Sequence, residues 1–250
     1  MTSLSTQPLH VEDLGRLGYG PALAYQRQVN EAVIAGDRPA TLLLVEHEPV
    51  ITVTRRPGAR DHVLVSRDRL ARLGIEVHET DRGGDVTYHG PGQLVAYPIL
   101  RLAPHRLNLS TYMRLLEQVV IDTLAAWGVA AFRVHRCTGV WVSQGQAPAD
   151  TAACDATAPR AKICAMGVRI RRNTTMHGLA LNVSPAMEHF QTIVPCGIAE
   201  QGVTSLAQRL GEATPTMDEV KTELVRTMRA ALTSWPESRR STTEAQRAQR

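Results

Sequence analysis

With 250 residues, 43% hydrophobic and 21% charged, the chain has the balance of a globular protein and length enough for one large domain, which excludes a disordered or fibrous chain. Its formal net charge is +4, yet aromatic residues make up only 4% and no basic stripe interleaves with them. That argues against a stacking platform for single-stranded nucleic acid and suits acidic protein partners better.

Taken in order, 1–20 contains no apolar run like that of a signal peptide, and no later stretch reaches membrane-spanning length, so a cytoplasmic protein is expected. Pro21 to Ala35 reads as a helix, with Ala22, Tyr25, Val29 and Val33 on one face and Gly36 beyond its end. Thr41 to Glu46 and Val50 to Thr54 read as strands, Ser66 to Leu73 as a short helix, and Ile75 to Glu79 as a strand. The stretch from Arg82 to Gln93 holds four glycines and a proline among an Arg, a Thr, a Tyr and a His. It suits either a glycine-rich hairpin turn or a pocket wall to which the backbone comes close. Leu94 to Leu100 follows as a buried strand.

A longer helix is expected over Ser110 to Trp127, with Leu115, Leu116, Val119, Val120, Leu124 and Trp127 on one face and Gly128 ending it. Gly139 to Val142 reads as a strand. Ser143 to Ala161 is rich in Ala, Pro, Asp and Thr and reads as a mobile surface loop. Lys162 to Ile170 and Met176 to Val183 read as core strands joined through Arg171-Arg172-Asn173. Thr204 to Leu210 is a short helix, and Thr216-x-x-Glu219 a capping box that opens an amphipathic helix. Lys221 falls off the apolar face of that helix and is expected to be solvated. The tail at 236–250 reads as disordered. Strands and helices mix without strict alternation, so the expected class is α/β or α+β, a mixed sheet with flanking helices, in one domain over 1–235.

The cysteines Cys137, Cys154, Cys164 and Cys196 show no Cys-x-x-Cys spacing, so neither a disulfide framework nor a zinc ribbon is indicated. Cys196 lies between Pro195 and Gly197, where a tight turn would present a thiol to a pocket. The alternative is a buried structural cysteine. Of 28 basic residues only Lys162 and Lys221 are lysines. Arginine is never deprotonated in proteins, whereas a buried lysine can lose its proton. Lys162 springs from the edge of an apolar strand; burial there disfavours the ammonium and leaves an amine able to take a proton from a thiol. An edge lysine guarding a sheet is the competing reading. His89 and His177 are each followed by glycine and suit hydrogen-bonding roles in a pocket wall better than metal ligation, since no His/Cys cluster accompanies them.

Six segments together carry a resemblance. Glu46-His47-x-Pro49, Arg82 to Gln93, Gly139-Val140-Trp141-Val142, Lys162 to Val168, His177 to Asn182 and Pro195-Cys196-Gly197-Ile198 stand in the order of the lipoyl(octanoyl) transferase family, the octanoyl-[acyl-carrier-protein]:protein N-octanoyltransferases of lipoate biosynthesis. The resemblance spans roughly Tyr25 to Leu210. It implies a catalytic domain like that of biotin and lipoate protein ligases. It also implies an acyl-thioester on Cys196, with Lys162 lowering the thiol pKa and serving as base. The implied substrate-binding residues are Arg82, Gly83, Gly84, Asp85, Val86, Thr87, Tyr88 and His89, then Ala165, Met166 and Gly167, and Gly178, Leu179 and Ala180.

The implied donor is octanoyl-acyl carrier protein. The implied acceptors are apo lipoyl domains of 2-oxoacid dehydrogenases and the glycine-cleavage carrier protein, with no metal or cofactor, no nucleic acid and no membrane, and the chain acting as a monomer. Where the family has a Tyr-Thr-x-Gly run, this chain has Ile51-Thr52-Val53-Thr54. Two alternatives remain at this point: an ATP-dependent lipoate or biotin ligase on the same fold, and a non-catalytic carrier-binding module.

Overall fold

Leu42, Leu43, Leu44 and Val45 are consecutive and all buried. Successive side chains of a strand point to opposite faces, so such a run must be covered on both. The computed structural model describes residues 9–135, 137–144, 159–194 and 202–235, and these residues supply both covers.

The main sheet has the order β1-β2-β6-β10-β9-β8-β7. Its strands are β1 (His10–Leu17), β2 (Thr41–His47), β6 (Gln93–Ile99), β7 (Ala131–Val134), β8 (Cys137–Ser143), β9 (Arg160–Arg171) and β10 (Thr174–Asn182). The two-residue β11 (Gly202–Val203) adds to β9 in parallel. β1 pairs β2 in parallel and the other neighbours on the path are antiparallel.

On one face Leu42, Leu44, Leu94, Ala96, Ile163 and Leu181 pack against two helices, α3 (Leu109–Ala125) and α5 (Met217–Ser234). On the other, Leu43, Val45, Val95 and Tyr97 meet Val29 and Val33 of α1 (Tyr19–Ala35). Each fully buried Leu or Val in these layers contributes roughly 1.5–3 kcal/mol.

A smaller sheet of order β4-β3-β5 stands beside the first. It is built from β3 (Val50–Thr54), β4 (Glu76–Thr80) and β5 (Thr87–His89). Ile51, Val53, Val86 and Tyr88 cluster there with Leu70 of the short helix α2 (Arg67–Arg72) and with Phe190 and Ile193. Another short helix, α4 (Leu206–Leu210), begins after the Ser205 cap.

The expected helices hold with their caps. Ser66 Oγ accepts from the Arg69 N–H, and Thr216 with Glu219 closes the capping box of α5. The helix expected to run to Trp127 ends at Ala125, capped at its start by a second box through Asn108 and Thr111. The loop expected over Ser143 to Ala161 is shorter at both ends, because Ser143 belongs to β8 and Arg160 and Ala161 already pair in β9. Its middle, 145–158, and the tail at 236–250 lie outside the described residues. Lys221 is a correction: its Nζ donates to Asp13 Oδ2 at 2.8 Å and its side chain is only 12% exposed, so it fastens α5 to the edge strand β1.

One glycine lets the small sheet's loop come down on the large sheet, and another lets β6 and β10 of that sheet lie close. Gly167 of β9 and Gly178 of β10 stand opposite each other. A Cβ on Gly178 would sit 2.2 Å from the Ala96 carbonyl oxygen and 2.7 Å from the Pro98 ring. One on Gly167 would meet the Gly83 carbonyl oxygen at 2.6 Å. Gly178→Ala should therefore cost about 3 kcal/mol of stability, an overpacking effect against backbone. Gly74→Ala, at φ +65° in open space, should cost only about 1 kcal/mol. Urea unfolding of both variants checks the contrast, and a Gly178→Ala cost no greater than that of Gly74→Ala would contradict the packing argument.

Candidate active site

A cleft opens where the glycine-rich loop crosses β9, β10 and β6. Its lining includes Arg82, Gly84, Val86, Thr87 and His89 from the loop and β5, Ala165 to Gly167 from β9, and Gly178 to Ala180 from β10. Eleven of the fourteen expected substrate-binding residues thus line one cavity. Tyr19, Val95, Tyr97 and His177 complete it. Val86, Val95, Ala165, Met166, Leu179 and Ala180 give it an apolar lining.

Gly83, Asp85 and Tyr88 do not line the cavity. The Gly83 N–H donates to the Val168 carbonyl at 2.9 Å and so pins the loop to β9. Asp85 is buried with a carboxylate oxygen 2.8 Å from His62 Nδ1. Tyr88 follows the alternation of β5: Thr87 and His89 face the cavity, while Tyr88 turns into the small sheet's core. There it packs edge-on against Phe190 and meets His189 Nδ1 at 2.8 Å. Burial, with Glu188 nearby, pushes its phenol up to about 12. Arg82 reaches the cavity wall, but its guanidinium donates to the carbonyls of Thr52, Gly83 and Asp85. It holds the loop in shape. Thr54, in the segment that departs from the family pattern, continues this by donating its hydroxyl to the Gly84 carbonyl at 3.2 Å.

Behind the cavity lies a buried polar layer. His47 Nδ1 donates to the Leu17 carbonyl at 2.9 Å, leaving Nε2 to accept from the Tyr97 hydroxyl at 2.7 Å. His89 Nδ1 donates to Gln93 Oε1 at 2.6 Å, and Gln93 Nε2 donates to the Tyr88 carbonyl and to Asn182 Oδ1. The His89 Nε2 is thereby left as an acceptor on a ring that lines the cavity. His177 Nε2 donates to Asp81 Oδ1 at 2.8 Å, and its backbone holds a left-handed φ of +57° while Gln26 accepts its N–H.

Burial dominates the titration of these rings. It pushes His47 down to about 4, against the Leu17 hydrogen bond. It pushes His89 down to about 3, helped by the nearby His47. It also lowers His177 despite Asp81. Asp81 would rise on burial, but the His177 hydrogen bond and the adjacent charges bring it below its ordinary value.

Lys162 sits on β9 with only 8% of its surface exposed. The β8–β9 register shifts between Val140 and Trp141, which face Cys164 and Lys162, so Ile163 is an extra residue. Such a bulge re-aims its neighbours. Here Lys162 Nζ lies 4.7 Å from the Trp141 ring centroid, within cation–π range. Gly139, at φ +114°, lets β8 and β9 lie close at the bulge, since a Cβ there would lie 2.6 Å from the Cys164 carbonyl oxygen.

Cys196 lies outside the described residues, but both flanks of 195–201 are placed. Val194 N–H donates to the His62 carbonyl at 2.8 Å, and Val203 pairs with Lys162. Cys164 is fully buried, and burial pushes its thiol far up, away from the reactive thiolate. Tyr19, Tyr97, Gln93 and Asn182 carried no functional signal of their own, although Gln93 and Asn182 each close one of the six motifs.

The fold is that of the lipoate and biotin protein ligases. A bi-partite lipoate protein ligase of Thermoplasma acidophilum aligns with a TM-score of 0.68 at 17% identity, over 91% of this chain and 84% of that one. The Aquifex aeolicus biotin protein ligase solved with biotin and ATP aligns at 0.53 and 12%, over 91% and 72%. A family model described as the lipoyl protein ligase A/B catalytic domain matches residues 19–229. The octanoyltransferase of Chloroflexus aggregans is 44% identical over 218 residues, which is 87% of this chain and 91% of that protein. The chain belongs to the lipoyl protein ligase A/B catalytic-domain family.

The buried histidines make stability depend on pH. Unfolded, His47 and His89 return to the ordinary value of 6.5. Below that pH the unfolded chain binds protons that the folded chain refuses. Their contribution is complete above about pH 6.5 and is lost as pH falls towards 4, at roughly 1.4 kcal/mol per pH unit for each ring. Thermal unfolding should give a Tm that drops between pH 7 and pH 5, with a shallower drop in His89→Gln. A flat Tm over that interval would contradict the assignment of neutral, buried rings.

Proposed function

We propose that this chain acts in the cytoplasm, taking an octanoyl group from acyl carrier protein onto Cys196 and passing it to a lysine of an apo lipoyl domain. Octanoyl transfer for protein lipoylation is the activity of this acyltransferase. The observation that carries this is the 44% identity with an octanoyltransferase across 91% of that protein's length. The donor, the thioester and the residue roles are the proposed part. They are supported by the apolar cleft, the burial of Lys162 and the pairing of Lys162 with Val203 just past the cysteine segment.

In the first step Lys162 takes the Cys196 proton and the thiolate attacks the carbonyl of the donor thioester. The tetrahedral intermediate collapses with loss of the carrier thiolate, which takes the proton back from Lys162. One thioester bond breaks and one forms. In the second step the lipoyl lysine attacks as a free amine. The C–S bond to Cys196 breaks, an amide forms, and the proton shed by the amine passes through Lys162 to the departing thiolate. The acyl group arrives activated, so neither step consumes ATP.

The apolar walls of the cleft hold the alkyl chain. Lys162→Arg keeps the positive charge but removes the base, so transfer from octanoyl-acyl carrier protein to an apo lipoyl domain should fall by about 10²–10⁴-fold. Wild-type turnover without ATP is expected in the same assay. Wild-type-like transfer by Lys162→Arg would remove the base assignment, and an absolute requirement for ATP would replace this reading with a ligase.

A further inference from the structure

Residues 55–72 contain six arginines, Arg55, Arg56, Arg60, Arg67, Arg69 and Arg72, against the two aspartates Asp61 and Asp68. That excess equals the formal net charge of the whole chain. All six are exposed. Arg60 pairs with Glu79, while the other five make no ion pair with a described carboxylate.

A charge run is ordinarily a solvated face, but this one adjoins an apolar floor. A groove of about 570 Å³ opens over Val53, Val65, Leu70 and Ile75, with Arg60, Arg67 and Glu79 in its walls. Val77 in the same groove is 48% exposed, and Leu64, which lies between the groove residues Val63 and Val65 in the chain, is 57% exposed. They are two of the three large exposed hydrophobics among the described residues. An apolar floor with Arg60 and Arg67 at its walls, in a segment that carries four further exposed arginines, has the composition of a protein interface.

The surface is also fastened to the site. Arg56 N–H donates to Thr54 Oγ1, whose hydroxyl holds the Gly84 carbonyl of the cavity wall. On its other side Val63 bridges Ile193, and the His62 carbonyl accepts from Val194, two residues before Cys196.

We propose that this arginine-rimmed groove is the docking surface for the acyl donor, a carrier with an acidic face whose acyl chain hangs on a phosphodiester-linked arm. The inference rests on the thioester-transfer reading. Charge selects the donor over the acceptor, because the donor arm is anionic whereas the acceptor offers a lysine ammonium, which this cluster repels.

The test separates the two half-reactions in the full chain carrying Arg67→Glu, in the groove wall, and Arg69→Glu. Loading of Cys196 from octanoyl-acyl carrier protein should lose at least about tenfold in kcat/KM, mostly through KM, and should lose much of its salt dependence. Loading from octanoyl-N-acetylcysteamine, which is neutral and has no carrier, should stay at the wild-type rate, as should transfer from preloaded enzyme to an apo lipoyl domain. The Arg67→Lys, Arg69→Lys variant should load like wild type. Unchanged loading from the carrier would overturn the proposal, as would an equal loss with the small thioester or a loss confined to the lipoyl-domain step. A wild-type enzyme that accepts octanoyl from neither donor would instead sink the thioester-transfer reading on which the surface depends.

Discussion

One backbone hydrogen bond sets the geometry of the cleft: the Gly83 N–H to the Val168 carbonyl, 2.9 Å. It brings the glycine-rich loop down onto the main sheet, and the sheet is shaped to receive it. Gly167 has no side chain where the Gly83 carbonyl passes, while Gly178, its cross-strand partner, lets the Ala96 carbonyl and the Pro98 ring of β6 lie close within the sheet. Arg82 then satisfies the loop's own carbonyls, which would otherwise be stranded near an apolar cavity. The loop wall and the strand floor are therefore one constraint.

Around that cleft the chain places polar groups that stay uncharged. His47, His89 and His177 are all held below their ordinary titration by burial, each with a ring nitrogen committed to a hydrogen bond. Neutral rings add no charge of their own beside the apolar cavity. Lys162 is kept to one side, over the face of Trp141 at the β9 bulge. Thus the acyl-binding and proton-transfer functions of the proposed mechanism fall on adjacent but distinct parts of β9.

Much of this was legible because the signals were local. The capping box at Thr216, the apolar strand after Gln93 and the connection through Arg171-Arg172-Asn173 all follow from short-range chemistry. That connection takes positive φ at Arg172 and Asn173, as a tight hairpin requires. What escaped depended on distant partners. β1 is an edge strand whose alternation is interrupted at Gly15, where its register with β2 shifts, so no period-2 pattern marked it. Edge strand β7 and the two-residue β11 were too short to stand out. Tyr88 sits among site residues in sequence, yet the alternation of a three-residue strand turns it into another core. Lys221 looked solvated on its own helix because its partner, Asp13, is 208 residues away.

The central claim is covalent: the octanoyl group rests on Cys196 between donor and acceptor. Intact-protein mass spectrometry after mixing the chain with octanoyl-acyl carrier protein, followed by peptide mapping, tests it directly. The account predicts a mass gain of one octanoyl group on the peptide holding Cys196, discharged by an apo lipoyl domain and absent in Cys196→Ala. An adduct of undiminished yield in Cys196→Ala, or octanoyl transfer by the wild-type chain with no adduct at any time, would contradict it.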